Sequence, residues 1–164
     1  MKDRVGLRSA VRVAAVLRRI AWFVVRPRTI GAQVIVVDHA DRVLLVRHSY
    51  DRHFLRLPGG GTKRAETFAE CAARELREEV SLVVKDPATL ELLGVYTGRD
   101  GPQNACHTVF VAPAGTWQGT PQRSPEIDTA EFHSLYALPD DVSPAVLARL
   151  EELRQGRRGI AGSW

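Results

Sequence analysis

The chain has 164 residues, 45% of them hydrophobic and 26% charged, with a formal net charge of +4. That size suits one domain with its own core, and the mild basic excess selects no partner class by itself. Two cysteines, Cys71 and Cys106, without a CxxC pair argue against a disulfide framework or a zinc site and fit a reducing, cytoplasmic compartment.

No uninterrupted apolar stretch of about 18 residues occurs, so no transmembrane segment is expected. Residues 9–24 interleave Arg12, Arg18 and Arg19 with Val13, Val16, Leu17, Ile20, Phe23 and Val24. This is an amphipathic basic segment, and its arginines set it apart from a signal peptide. Packing on the domain or on a partner is the first reading, and peripheral membrane contact the lesser one. Residues 1–29 are therefore an N-terminal helical extension, residues 30–155 the domain proper and residues 156–164 a flexible tail.

Within the domain, residues 32–37 form an apolar, β-branched run that predicts a buried strand. Residues 38–41 are a turn, and residues 42–46 a second strand that pairs with the first as a hairpin. Residues 47–53 are a polar, basic loop leading to a short extended piece before Pro58. Residues 67–80 predict a helix that buries Phe68, Ala69, Ala72, Ala73, Leu76 and Val80 on one face. Strands follow at residues 90–96 and 105–111, separated by a polar loop at 98–104. A turn-rich stretch leads to a short strand at 130–135, and Pro144 opens a last helix over 145–153. Hairpins exclude a purely parallel doubly wound sheet, leaving an α/β fold with a mixed sheet covered by helices.

Glu75, Glu78 and Glu79 stand at i, i+3 and i+4 on the long helix and share one sector of its surface. Glu75 and Glu79 repel by a few tenths of a kcal/mol, roughly, in an isolated helix. A divalent cation would remove that repulsion, and magnesium suits carboxylate oxygens. A solvated face is the rival reading, because Arg74 can pair with Glu70 and Glu78. Ahead of the helix, Gly59, Gly60 and Gly61 either make a flexible turn or present main-chain groups to a phosphate or a metal. The run is not a P-loop, since the order GGGTKR lacks the G-K-[ST] ending.

Gly60, Glu66, Arg74, Glu75, Leu76, Glu78, Glu79 and Leu82 reproduce the spacing G-x5-E-x7-R-E-U-x-E-E-x-G-U. This resembles the signature of the Nudix hydrolases, which cleave nucleoside diphosphates linked to another moiety. The resemblance implies a Nudix-type α/β/α sandwich. Two departures stand out: Ser81 replaces the glycine that closes the helix, and Lys63 and Ala65 stand where many relatives have glutamate and glycine.

The resemblance also implies roles. Glu78 and Glu79 are the principal metal ligands, joined by Glu75 and the carbonyl of Gly59. Glu75 assists the metal or activates water, Arg74 orients the carboxylates, and Glu66 supports the loop. Glu126 is the best distant candidate for the base, ahead of Asp128 and Glu131. Mg²⁺ is the expected cofactor, with Mn²⁺ able to substitute.

Arg47, Arg52, Arg56 and Arg99 are candidate phosphate contacts, with His48 and His53 in the same basic run. Tyr50 and Phe54 are candidates for stacking a base, although packing is the better reading for Phe54. His107 reads as a structural histidine and Cys71 as a small buried side chain. The expected function is Mg²⁺-dependent hydrolysis of a phosphoanhydride bond in a linked nucleoside diphosphate or a nucleoside triphosphate. The alternative is a noncatalytic nucleotide-binding sensor or interaction module on the same fold. A small nucleotide-derived substrate is expected, a homodimer is allowed, and no stable nucleic-acid partner is expected, because no aromatic RNA-binding motif accompanies the charge.

Overall fold

The computed structural model describes residues 29–100 and 103–164. The amphipathic segment at residues 9–24 lies outside them. The strands are β1 (Thr29–Val36), β2 (Arg42–His48), β3 (Asp51–Arg56), β4 (Gly59–Gly61), β5 (Val83–Val84), β6 (Glu91–Asp100), β7 (Gln103–Ala112), β8 (Trp117–Gln118), β9 (Ile127–Ser134) and β10 (Ile160–Ser163). The α-helices are α1 (Phe68–Val80) and α2 (Pro144–Arg154). Among the described residues, a five-stranded sheet has the order β10-β6-β7-β1-β4 and a three-stranded sheet the order β3-β2-β9. The larger sheet is mixed: β1 runs parallel to β7 and antiparallel to β4.

β1 is apolar because it is covered on both faces. Ala32, Val34 and Val36 join Ala72, Leu76 and Val80 of α1 in one core cluster. Ile35 belongs to a second cluster, with Leu45, Val109, Val146 and Leu150, closed off by α2. The helices thus sandwich the sheets, as the α/β/α expectation requires.

β1 and β2 do not form the expected hairpin. They meet only at an isolated bridge, Val37↔Val43, and then part into different sheets. The physical reason is that both are central strands. β2 buries Val43, Leu44, Leu45 and Val46 completely and takes β3 and β9 as its neighbours. The turn between β1 and β2 is fixed by Asp38, whose carboxylate accepts from the backbone N–H groups of Ala40 and Arg42, each at 2.9 Å.

Three other expectations are corrected. The basic loop at residues 47–53 is a β2–β3 hairpin that turns at Ser49-Tyr50. The polar loop at residues 98–104 is largely strand, since β6 and β7 continue pairing to Asp100↔Gln103. The tail is not flexible along its whole length: β10 pairs in parallel with β6, from Ile160↔Gly94 to Ser163↔Thr97.

α1 opens with a capping box. Thr67 Oγ1 accepts from the N–H of Glu70, and the Glu70 carboxylate accepts from the N–H of Thr67 at 2.8 Å. It closes at Ser81, which adopts the left-handed conformation at φ 60° and donates its N–H to the Arg77 carbonyl at 3.2 Å. A side chain in that conformation costs roughly 1–2 kcal/mol, which glycine avoids. Ser81→Gly is expected to raise unfolding stability by about 1 kcal/mol and the thermal midpoint by about 2–4 °C. Urea and thermal unfolding check this, and an unchanged midpoint would mean that serine bears no strain there.

Candidate active site

The Arg74 guanidinium, on the middle of α1, gathers the acidic residues around it. Its Nε donates to Glu66 Oε1 at 2.6 Å and one Nη to Glu66 Oε2 at 2.9 Å, a bidentate grip. The other Nη donates to Glu75 at 2.6 Å and to Glu78 at 3.1 Å. A fifth bond reaches the Gly61 carbonyl at 3.0 Å. The hydrogen bonds from Arg74 bring the Glu66 carboxyl down to about 2. Glu66 also accepts from the backbone N–H of Lys63 at 2.8 Å, which fixes the loop ahead of α1.

Glu75 lies directly under β4. A Cβ on Gly60 would fall 2.6 Å from its carboxyl group, so a side chain there would push the acid away from its place beside Arg74. Gly59 is equally constrained: it has a positive φ, and a Cβ there would lie 2.3 Å from the Ala32 carbonyl oxygen. Gly59 donates its N–H to Glu79 Oε2 at 2.9 Å. Glu79 is buried, and burial pushes its carboxyl up to about 7. The Gly59 bond opposes that rise, while the charges of Glu75 and Glu126 add to it. Glu78 is more open. A modest burial penalty is outweighed by Arg74 and Lys63, so its carboxyl sits below the usual range. Lys63 Nζ stands 3.4 Å from Glu78, so the unusual lysine does place a positive charge at the acidic set.

Among the described residues, no three His, Cys, Asp or Glu side chains already converge as a cation cage. The carboxylates of Glu75 and Glu78 face Arg74, and that of Glu79 faces Gly59. The donor set nevertheless fits a hard divalent ion. It offers three carboxylates on one helix edge beside the main-chain carbonyls of a glycine strand. The raised Glu79 carboxyl marks a place where negative charge is held at a cost, which a cation would offset.

A cleft of about 490 Å³ opens against β4, lined by residues of both main sheets. Its walls include Gln33 and His107 from the larger sheet, and His48, Tyr50, Asp51 and Arg56 from the β2–β3 hairpin. Arg56 is the one candidate phosphate contact on its wall, held by Asp51 at 2.6 Å. Arg47 instead pairs with Asp141, and Arg52 with Asp128 at 2.9 Å, and neither lines the cleft. The Arg99 side chain is outside the described residues. Glu126 is exposed, and its charge acts on both Glu79 and His48. Its backbone carbonyl accepts from Ser49 N–H at 2.9 Å, which ties the segment to the hairpin turn.

Sequence reasoning passed over Gln33 and Asp51 as wall residues and read His107 as structural. Gln33 did carry a signal, as the one polar residue inside the apolar run 32–37. Cys71 is fully buried and its thiol is pushed up to about 11 by burial, in keeping with a packing role.

The NUDIX domain profile matches residues 27–153. The chain belongs to the Nudix hydrolase family. An ADP-ribose pyrophosphatase of Methanocaldococcus jannaschii is 29% identical over 108 residues, covering 63% of this Nudix chain and 61% of that relative. The match therefore spans about 61% of the relative's length. A MutT NUDIX hydrolase from Burkholderia pseudomallei has a similar structure, with a TM-score of 0.67 at 22% identity over 77% of this chain and 98% of its own. A MutT protein from Bacillus halodurans gives 0.67 at 24% identity over 81% and 86%. At these identities the structural likeness shows the fold alone. No helix among the described residues is long and apolar enough to cross a membrane.

Burial of Glu79 makes a signed pH prediction for the Nudix protein in EDTA. A carboxyl raised to about 7 in the fold contributes stability that is present below its unfolded value and lost as pH rises through about 7. His48, lowered by burial, acts in the opposite direction as pH falls. The difference between parent and Glu79→Gln isolates the carboxyl. Glu79→Gln is expected to be the more stable protein at about pH 8, with the gap narrowing towards about pH 5. Thermal midpoints across that range check it, and a gap that stays constant with pH would count against a raised Glu79.

Proposed function

We propose that this Nudix protein is a Mg²⁺-dependent enzyme that hydrolyses the pyrophosphate of a nucleoside diphosphate linked to a second moiety, or of a nucleoside triphosphate. The observation that carries the reading is that the glycine strand β4 both lines the cleft and abuts the Arg74-gripped Glu75 carboxyl, with the charge of Glu79 felt at Tyr50 on the cleft wall. Glu75, Glu78, Glu79 and the Gly59 carbonyl would hold Mg²⁺, and Mn²⁺ would serve in its place. Held there, the ion would supply charge for the phosphoryl oxygens and a lowered pKa for water.

The protein's own contribution is positioning. Arg74 presents Glu75 and Glu78 at fixed points on α1, and Gly60 lets the Glu75 carboxyl approach β4. Arg56 offers a cation on the cleft wall for a phosphate oxygen. Water oxygen attacks phosphorus, the P–O anhydride bond breaks, and a carboxylate takes the water's proton. Glu75 is the near candidate for that base and Glu126 the distant one. The bond electrons leave on the departing phosphate. From ADP-ribose, the substrate in the name of the M. jannaschii relative, the products would be AMP and ribose 5-phosphate.

A product-resolved screen of ADP-ribose, sugar nucleotides, dinucleotides and nucleoside triphosphates with Mg²⁺ tests the proposal. Turnover of at least one class is expected. Glu78→Gln is expected to cut kcat/KM by about 10²-fold or more while the fold is retained. Nucleotide binding without products across the whole panel would favour the noncatalytic sensor, and near-parent turnover by Glu78→Gln would remove that residue from the metal set.

A further inference from the structure

β10 was unexpected, and the residue after it, Trp164, packs on His107, which lines the cleft. Trp164 donates its N–H to the Thr97 carbonyl at 3.0 Å, extending the β10–β6 ladder by one residue. Its indole lies over the His107 imidazole, with centroids 4.3 Å apart and planes 32° apart. His107 lines the cleft and accepts from the Gln33 amide at 3.4 Å. We propose that Trp164 is a positioning residue that sets the His107 ring against the ring-bearing part of the substrate, and so tunes which base or sugar the cleft takes. The inference rests on the nucleotide substrate proposed above.

The contact is built, not incidental. Gly98 lets the Trp164 backbone lie close on β6, since a Cβ there would crowd the Trp164 Cβ at 3.1 Å. Behind β10, the nearly buried Arg149 donates to the Ser163 carbonyl at 3.1 Å, and its guanidinium stands 3.8 Å from the centre of the Tyr96 ring. Glu152 accepts from both Arg149 and the Tyr96 hydroxyl, each at 2.7 Å. A charge-assisted network on α2 and β6 thus holds β10 in register.

Cleft chemistry then indicates what the wall recognises. Gln33 Oε1 is buried with no hydrogen-bond partner, and so is Nδ1 of His48, which is only 5% exposed. Both residues line the cleft. His48 stacks on Tyr50 with centroids 4.9 Å apart, and so forms a second aromatic pair on the facing wall. Three cleft-lining rings, His48, Tyr50 and His107, together with the unpaired Gln33 Oε1 and His48 Nδ1, suit a flat heterocycle that carries its own donors and acceptors. The Arg74 site accounts for phosphate chemistry, while this wall would select what the phosphates carry.

The test compares Trp164→Leu, which keeps apolar bulk, with Trp164→Phe, which keeps a ring. For the best substrate of the screen, Trp164→Leu is expected to raise KM about fivefold to tenfold with kcat within about twofold, and Trp164→Phe to restore most of the loss. In the parent, AMP added without metal is expected to shift the His107 ring-proton resonances, and Trp164→Leu to weaken that binding by a similar factor. A purely structural role predicts that Leu and Phe behave alike. Equal KM values in folded Leu and Phe variants, or AMP binding unchanged in Trp164→Leu, would overturn the inference. AMP binding needs no turnover, so an inactive parent that still binds AMP through His107 counts against the hydrolase reading alone, and the Trp164→Leu comparison still decides the role of Trp164.

Discussion

The site depends on one guanidinium. Arg74 binds Glu66 on the loop, Glu75 and Glu78 on its own helix, and the Gly61 carbonyl on β4. A planar fork with five N–H donors can meet these acceptors at once, whereas a lysine ammonium could not satisfy the bidentate Glu66 geometry. Arg74 is largely buried, so removing it would leave Glu66 and Glu75 clustered without their shared counter-charge, with only Lys63 still facing Glu78. Loop, helix and glycine strand are therefore held as one unit, and the carboxylates are presented at defined points along it.

The glycine strand is the second constraint. It must pass close to β1 on one side, which excludes a Cβ at Gly59, and to the Glu75 carboxyl on the other, which a Cβ at Gly60 would displace. In return, Gly59 offers an N–H to Glu79 and keeps that acid beneath the strand. The cleft needs only the sandwich geometry: the larger sheet supplies one wall and the β2–β3 hairpin the other. The acidic cluster and the cleft are thus built by different elements that share β4.

The parts of the protein that were legible in its sequence are the local ones. The helix and the acidic spacing lie within a few turns of chain, where periodicity and side-chain chemistry speak directly. The pairing of β1 and β2 was not legible, because two apolar runs around a turn look like a hairpin whether or not each takes other neighbours. The roles of Arg47 and Arg52 depended on Asp141 and Asp128, which lie far along the chain. Strand β10 was missed because IAGS has little side-chain bulk, and its register comes from Arg149 and from the glycines of β6. Gln33 and His107 became wall residues only once parallel β1 and β7 set them side by side.

The central claim is that the buried acid under β4 belongs to a cation site. Calorimetric titration of the metal-free protein with Mg²⁺, in buffers of different ionisation enthalpy, tests it most directly. With Glu79 raised to about 7, ion binding should release a proton, most at about pH 6, with the release fading above about pH 8 as the affinity levels off. Mg²⁺ binding with no proton release at any of these pH values, or no binding at all by the folded protein, would contradict the account.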